Sequence, residues 1–124
     1  MTLGQEKYVV LTTFRRSGQG VPTPVWAAEE GGALYVWSAR DAGKVKRIRN
    51  GGAVTVGPCD FRGNPTGPAV DATAEVLGAE ESAHAKRLIA RKYGLVGRLT
   101  LFGSRIRRGE QGTVGIRVVP TTSA

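Results

Sequence analysis

A strand, a hydroxyl group and a basic helix follow one another in the stretch Tyr35-Val-Trp-Ser-Ala-Arg-Asp-Ala-Gly-Lys-Val-Lys-Arg-Ile-Arg-Asn50. The apolar pattern of residues 34–37 predicts a strand that ends at Ser38, and a short loop then leads into the helix. Positive charge on this helix comes from Lys44, Lys46, Arg47 and Arg49. The N–H groups and dipole at a helix N-terminus favour an anion, and nearby lysines add charge. The stretch is typical of a phosphate site, with a solvated basic helix face as the alternative.

The length and composition predict a single domain covering residues 1–124. Apolar residues make up 40% and charged residues 23% of the chain, which is ordinary for a globular protein. No run of about 18 apolar residues occurs, so we expect no transmembrane helix. Residues 1–7 are polar, and the single cysteine, Cys59, has no partner for an internal disulfide. We therefore expect a cytoplasmic protein that makes no membrane contact.

The charge balance calls for an anionic partner. Eighteen basic residues against ten acidic ones give a formal net charge of +8. The basic residues lie mainly in two blocks, Arg40 to Arg49 and Lys86 to Arg108. Nucleic acid is one candidate partner, but no helix-turn-helix, zinc-finger or RNP-type signature accompanies the charge. We expect no specific nucleic-acid binding, and a polyanionic cofactor fits the same charge.

The first part of the chain predicts a hairpin. Tyr8–Phe14 is rich in β-branched and aromatic residues and predicts a strand, and Val21–Ala28 returns beside it after a turn. Pro22 and Pro24 cannot donate to a strand ladder, so they favour an edge or an interrupted strand. A ligand can lie against such a strand, although protection of a free edge explains the prolines equally well.

The middle of the chain continues with short elements. Ala33–Ser38 predicts the third strand, and Asp41 is placed to cap a helix over Ala42–Asn50. Ala53–Val56 predicts a further short strand, and Pro58–Pro68 predicts a loop because of its prolines and glycines.

The second half predicts one strand, one helix and a final strand. Val70–Leu77 alternates as a half-buried antiparallel strand does, and Glu80–Tyr93 is an amphipathic helix that stops at Gly94. Leu95–Arg108 predicts a loop or short helix whose arginines face a partner, and Thr113–Val119 predicts the last strand. Hairpin connections without a repeating βαβ unit favour a mainly β fold, an antiparallel barrel with peripheral helices.

The residues do not suggest a hydrolase. The single histidine, His84, has no obvious acid or nucleophile near it in the sequence, and no Ser-His-Asp set is apparent. Cys59 is interpreted as a buried small hydrophobe, with a reactive thiol beside Asp60 as the alternative. We expect no catalytic side chains and no metal ligands, and a cofactor would supply the chemistry.

Five segments of the chain, taken together and in order, form a specific pattern: Val21-Pro-Thr-Pro-Val-Trp26, Val36-Trp-Ser38, Gly43-Lys-Val-Lys-Arg-Ile-Arg49, Val54-Thr-Val-Gly-Pro-Cys-Asp60 and Arg62-Gly-Asn-Pro-Thr-Gly67. This pattern resembles the FMN-binding split barrel of the pyridoxamine-phosphate-oxidase-like superfamily, and more narrowly its deazaflavin branch of coenzyme F-420-dependent oxidoreductases. The resemblance extends from Tyr8 to the last strand.

The resemblance implies a homodimer with a shared cofactor groove. It assigns Lys44 to the cofactor phosphate and places the hydroxyl of Ser38 nearby. Lys46 and Arg47 would reach the phosphate or an acidic tail. The second strand would flank the isoalloxazine-like ring with Thr23, Pro24, Val25 and Trp26.

The function that the resemblance implies is hydride transfer between reduced coenzyme F-420 and a small organic acceptor. The phosphodiester and polyglutamate tail of this cofactor suit a chain of charge +8. An FMN-dependent oxidoreductase on the same barrel is one alternative. A non-enzymatic F-420 carrier or reservoir is another, and the residues leave all three open.

Overall fold

The computed structural model describes residues 3–108 and 113–121, with side chains described for residues 3–94 and 113–121. Within these residues the chain forms a short 3-10 turn at Leu3–Gln5 and two helices, α1 (Gly43–Asn50) and α2 (Ala79–Arg108). The strands of the same part of the chain are β1 (Tyr8–Phe14), β2 (Gly20–Val25), β3 (Ala27–Glu30), β4 (Ala33–Ala39), β5 (Ala53–Cys59), β6 (Val70–Val76) and β7 (Thr113–Pro120).

The strands form one antiparallel sheet in the order β2-β1-β5-β6-β7-β4-β3. Its two edge strands, β2 and β3, are consecutive in the chain and are separated by Trp26 alone. Because consecutive Cα atoms are about 3.8 Å apart, the two edges must come together at this residue. The sheet is therefore curled, and the antiparallel split barrel expected from the sequence is confirmed.

The interior of the curled sheet is filled by aliphatic side chains. The alternation predicted for the last strand is confirmed, since Val114, Ile116 and Val118 are buried at no more than 1% exposure. The main apolar cluster draws on the inward positions of the strands and on α1: Val9, Leu11, Val25, Ala27, Leu34, Val36, Val45, Ile48, Val54, Val56, Ala72, Ala74, Val114, Ile116 and Val118.

The start of α1 differs from the prediction. The helix begins at Gly43, with Ala42 as its N-cap and no capping hydrogen bond from a side chain, so Asp41 does not cap it. Asp41 is exposed. Val45 and Ile48 are buried in the main cluster, and their packing outweighs the capping preference of one exposed aspartate.

The second predicted strand is divided, because the chain leaves the sheet at Trp26 between β2 and β3. β2 is an edge strand, as its prolines predicted. β5 is longer than predicted and continues to Cys59, so the predicted loop begins later.

The first helical part of α2 ends at Gly94, as the sequence predicted. This glycine has φ 62° and ψ −138°, a conformation that breaks the helical path, and helical structure resumes beyond it. The segment predicted as a loop or short helix is thus helical in backbone, while the side chains of its arginines lie outside the described residues. Among the described helices, none is both long enough and apolar enough to cross a membrane.

Candidate functional site

A cavity of about 290 Å³ opens where the end of β2 meets β4, α1 and α2. It brings together residues that are far apart in the sequence and combines apolar and aromatic walls with one cation. Its lining residues are Tyr8, Pro24, Val25, Trp26, Trp37, Lys44, Phe61 and Ile89.

Lys44 supplies the positive charge of the cavity. It lies in the first turn of α1 and is partly buried. Desolvation by burial, followed by repulsion from Arg47, lowers the pKa of Lys44 below its usual 10.5. Among the described residues no carboxylate pairs with Lys44. A desolvated cation without an acidic partner is a natural position for an external anion.

Arg47 lies one turn further along α1 and turns back over the start of the helix. Its Nε donates a hydrogen bond of 2.6 Å to the hydroxyl of Thr13, which is buried on β1. Its Nη1 lies 2.8 Å from the position that a Cβ would take on Gly43. The guanidinium group therefore stays close to the helix N-terminus, where the N–H groups have no intrahelical acceptors.

The other predicted phosphate ligands lie differently. Lys46 is exposed on α1 and does not line the cavity. Ser38 is buried at the end of β4, where its hydroxyl donates to the carbonyl of Ala39 at 3.1 Å, and it does not line the cavity either.

The predicted ring-flanking segment of β2 lies largely at the cavity. Pro24, Val25 and Trp26 line it, while Thr23 is partly buried and is not among the lining residues. Sequence reasoning did not identify Tyr8 and Ile89 as site residues. Both belong to ordinary apolar patterns of a strand and a helix, so nothing local distinguishes them from core positions.

The loop after β5 adds an aromatic ring to the rim. Asp60 accepts hydrogen bonds from the N–H groups of Arg62 and Asn64, both at 2.9 Å, and from the Asn64 side chain at 3.2 Å. The backbone bond from Asn64 is the main reason that the pKa of Asp60 is lowered. This turn presents Phe61, which is 65% exposed while it also lines the cavity. Gly63, with φ 89°, lies in the same turn against Pro24.

His84 and Cys59 do not line this cavity. His84 has an acidic neighbour after all, because its Nε2 lies 2.6 Å from Oε1 of Glu30 on β3. Cys59 is buried, and burial, Asp60 and Glu6 all raise the pKa of its thiol, which disfavours the reactive thiolate. Across the side chains that the structure describes, no group of three or more histidine, cysteine or acidic residues is arranged to hold a metal ion.

A second cavity of about 300 Å³ also borders Trp26. Its other lining residues are Gln5, Lys7, Lys92 and Tyr93. The tryptophan at the junction of the sheet edges thus belongs to both cavities, and only the first contains Lys44.

The first cavity can hold an anionic group at Lys44 while a flat, mainly apolar ligand lies against Pro24, Val25 and Trp26. Its volume is at the lower end of the roughly 300–1,000 Å³ typical of small-molecule pockets. One chain therefore encloses only part of a large cofactor.

No family model matches the chain, and no curated protein matches it. Solved structures resemble it over nearly its whole length. A candidate pyridoxamine 5'-phosphate oxidase from Listeria innocua superimposes with a TM-score of 0.65 at 17% identity, covering 95% of this chain and 86% of its own. An F420 reductase gives a TM-score of 0.66 at 21% identity, covering 97% and 90%.

HutZ, the heme storage protein from Vibrio cholerae, gives a TM-score of 0.64 at 15% identity, covering 96% of this chain and 84% of its own. Identities this low establish a shared fold and leave function open. The chain has the split-barrel fold of these proteins.

Proposed function

We propose that the protein binds coenzyme F-420 in the Lys44 cavity and transfers a hydride between the reduced cofactor and a small organic acceptor. The observation that carries the proposal is Lys44, a partly buried cation with no carboxylate partner among the described residues, beside the aromatic wall of Trp26. Such a cation is destabilised until an anion reaches it, and a cofactor phosphate is an anion of the right kind.

Each part of the site has a role in this proposal. Lys44 binds the cofactor phosphate, and Arg47 adds positive potential from its anchored position at the start of α1. Pro24, Val25 and Trp26 flank the ring and exclude water from one side of it. Ser38 supports the end of β4 from its buried position, and Lys46 and Thr23 are assigned to parts of the cofactor that extend beyond the cavity.

The bound cofactor supplies the hydride, so the protein needs to provide binding, orientation and electrostatics. No side chain is assigned a proton-transfer step. His84 and Glu30 are paired as an acid and a base are, but neither residue lines the cavity. They are therefore given no part in the chemistry.

The small cavity also supports a homodimer. Because about 290 Å³ accommodates only part of a cofactor with an acidic tail, a second subunit would complete the groove. The net charge of +8 suits a cofactor with several negative charges better than one with a single phosphate.

The experiment is a fluorescence titration of the purified protein with F-420 and with FMN. We expect micromolar or tighter binding of F-420 and weaker binding of FMN. Binding of FMN with none of F-420 would overturn the choice of cofactor and favour an FMN-dependent oxidoreductase. A screen of reduced F-420 oxidation against quinones, nitroaromatics, enones and tetrapyrroles then tests the reaction.

A non-enzymatic carrier is the second candidate function. It is favoured by the similarity of the fold to that of HutZ, a heme storage protein. Tight F-420 binding combined with no turnover of any acceptor class would support the carrier and contradict the hydride-transfer proposal.

A further inference from the structure

The packing around Trp26 is not sufficient by itself to hold its side chain in one rotamer. It is the single residue between the two edge strands of the sheet, and it is partly buried. Cavities of about 290 Å³ and 300 Å³ both border it. A side chain next to empty volume lacks contacts there and is free to change rotamer unless another group holds it.

Tyr93 is the group that holds it. The rings of Trp26 and Tyr93 are stacked, with centroids 4.3 Å apart and planes inclined by 8°. The hydroxyl of Tyr93 accepts a hydrogen bond of 3.0 Å from the N–H of Ala27 and donates one of 2.8 Å to the carbonyl of Lys7. The same tyrosine thus covers the indole and fixes the backbone of the next residue.

Lys92, the preceding residue of α2, ties the same junction to the N-terminal segment. Its Nζ donates to the carbonyl oxygens of Gly4 at 2.9 Å, Glu6 at 2.7 Å and Ala27 at 2.5 Å. Three carbonyl acceptors satisfy all three donors of the ammonium group. The end of the first helical part of α2 therefore clamps both the strand junction and residues 4–7.

We propose that Tyr93 is a positioning residue for the ligand cavity, because it holds the Trp26 indole in place as the wall against which a cofactor ring lies. Lys92 supports this arrangement through the backbone of Ala27. The inference rests on the proposed function for the identity of the ligand, while the restraint on Trp26 is a property of the free protein. A wall that is already ordered does not have to be immobilised when the ligand binds, which favours affinity.

The test compares Tyr93→Leu and Tyr93→Phe with Tyr35→Phe. Tyr35 is a matched control because it packs in the same aromatic cluster under α2, with its ring edge-on to His84, and lines neither cavity. The chain has two tryptophans, so a Trp37→Phe background leaves Trp26 as the single emitter. Time-resolved fluorescence anisotropy and acrylamide quenching of the free protein then report the mobility and exposure of this indole.

We expect Tyr93→Leu to give a fast rotational component and stronger quenching of Trp26, and Tyr93→Phe to give a smaller change because the stack remains. Tyr35→Phe should leave both signals unchanged. With Trp37 restored, Tyr93→Leu should bind F-420 about two- to tenfold more weakly, the equivalent of ordering one side chain on binding.

A folded Tyr93→Leu protein whose Trp26 is as immobile as in the parent would overturn the proposal, regardless of the affinity of this variant for F-420. Should Tyr93→Leu fail to fold, Tyr93→Phe decides, and unchanged anisotropy together with unchanged F-420 affinity would overturn it. If the parent protein binds neither F-420 nor FMN, the proposed function is wrong, and the anisotropy measurements still decide whether Tyr93 restrains Trp26.

Discussion

Arg47 and Thr13 are joined by a hydrogen bond of 2.6 Å, from Nε of the arginine on α1 to the buried hydroxyl on β1. The bond fixes a second positive charge next to Lys44, and repulsion from Arg47 contributes to the lowered pKa of that lysine. The free protein therefore holds two neighbouring cations at the start of α1, and an anion is what would relieve their repulsion.

Replacing Lys44 should weaken ligand binding without lowering the stability of the fold. Lys44→Met should weaken F-420 binding about tenfold to a hundredfold, because a charge-assisted contact is worth roughly 1.5–3 kcal/mol. The melting temperature of the free protein should stay the same or rise, since the charge is desolvated there without a partner. Fluorescence titration and a thermal melt measure the two effects. Arg49→Met, which removes an exposed charge from the same helix, is the control, and equal losses in both variants would show that diffuse charge explains the binding.

The lowered pKa of Lys44 predicts how anion binding depends on pH. An anion favours the charged lysine, so binding raises the pKa of Lys44 and is accompanied by proton uptake. The affinity for F-420 should fall as the pH rises through the lowered pKa, before the usual 10.5 is reached. Calorimetry in buffers of different ionisation enthalpy measures the uptake. An unchanged pH profile in Lys44→Met would contradict the assignment.

Removing the hydrogen bond between Arg47 and Thr13 should lower the free energy of unfolding. In Thr13→Val the shape of the buried side chain is kept, but Nε of Arg47 loses its acceptor. Hydrogen bonds to charged groups contribute about 1.5–3 kcal/mol, so urea unfolding should show a loss toward the lower end of that range. Thr12→Val on the same strand is the control. A loss no larger than that of the control would mean that Arg47 finds another acceptor.

The raised pKa of Tyr93 predicts that the protein loses stability at alkaline pH. Burial is the main cause that raises the pKa of this tyrosine to about 12 from its usual 10.0. In the folded state the phenol keeps its proton at pH values where the unfolded chain loses it. The contribution to the free energy of unfolding is therefore complete below pH 10 and is lost as the pH rises toward 12. Urea unfolding from pH 9 to pH 11 should show a smaller decline for Tyr93→Phe than for the parent, and parallel declines would contradict this role.

The proposed sharing of the cofactor groove between two subunits predicts a dimer. Sedimentation velocity at micromolar concentration should show a species of twice the 13.1 kDa chain mass. A stable monomer with full F-420 affinity would contradict the shared site.

Much of the fold could be predicted because strand periodicity is a local property. Tyr8–Phe14 was predicted with the bounds that the structure has, and the alternation of the strand near the C-terminus matches its buried face. The predicted N-cap at Asp41 was wrong, since a cap is a small local preference that the packing of Val45 and Ile48 overrode. The acidic partner of His84 could not be seen, because Glu30 lies 54 residues away in the sequence.

The features of the candidate site likewise fall into those that the sequence predicts and those that depend on the tertiary structure. The sequence by itself determined that a basic helix follows a strand, that Lys44 lies in the first turn of that helix, and that β2 is an edge rich in proline. Only the tertiary structure decided that both edges of the sheet meet at Trp26, that Tyr93 stacks on this ring, and that Tyr8 and Ile89 reach the same cavity as Lys44. The reason is that side-chain periodicity is encoded within each element, whereas the meeting of distant elements follows from the pairing, register and accumulated twist of the whole sheet.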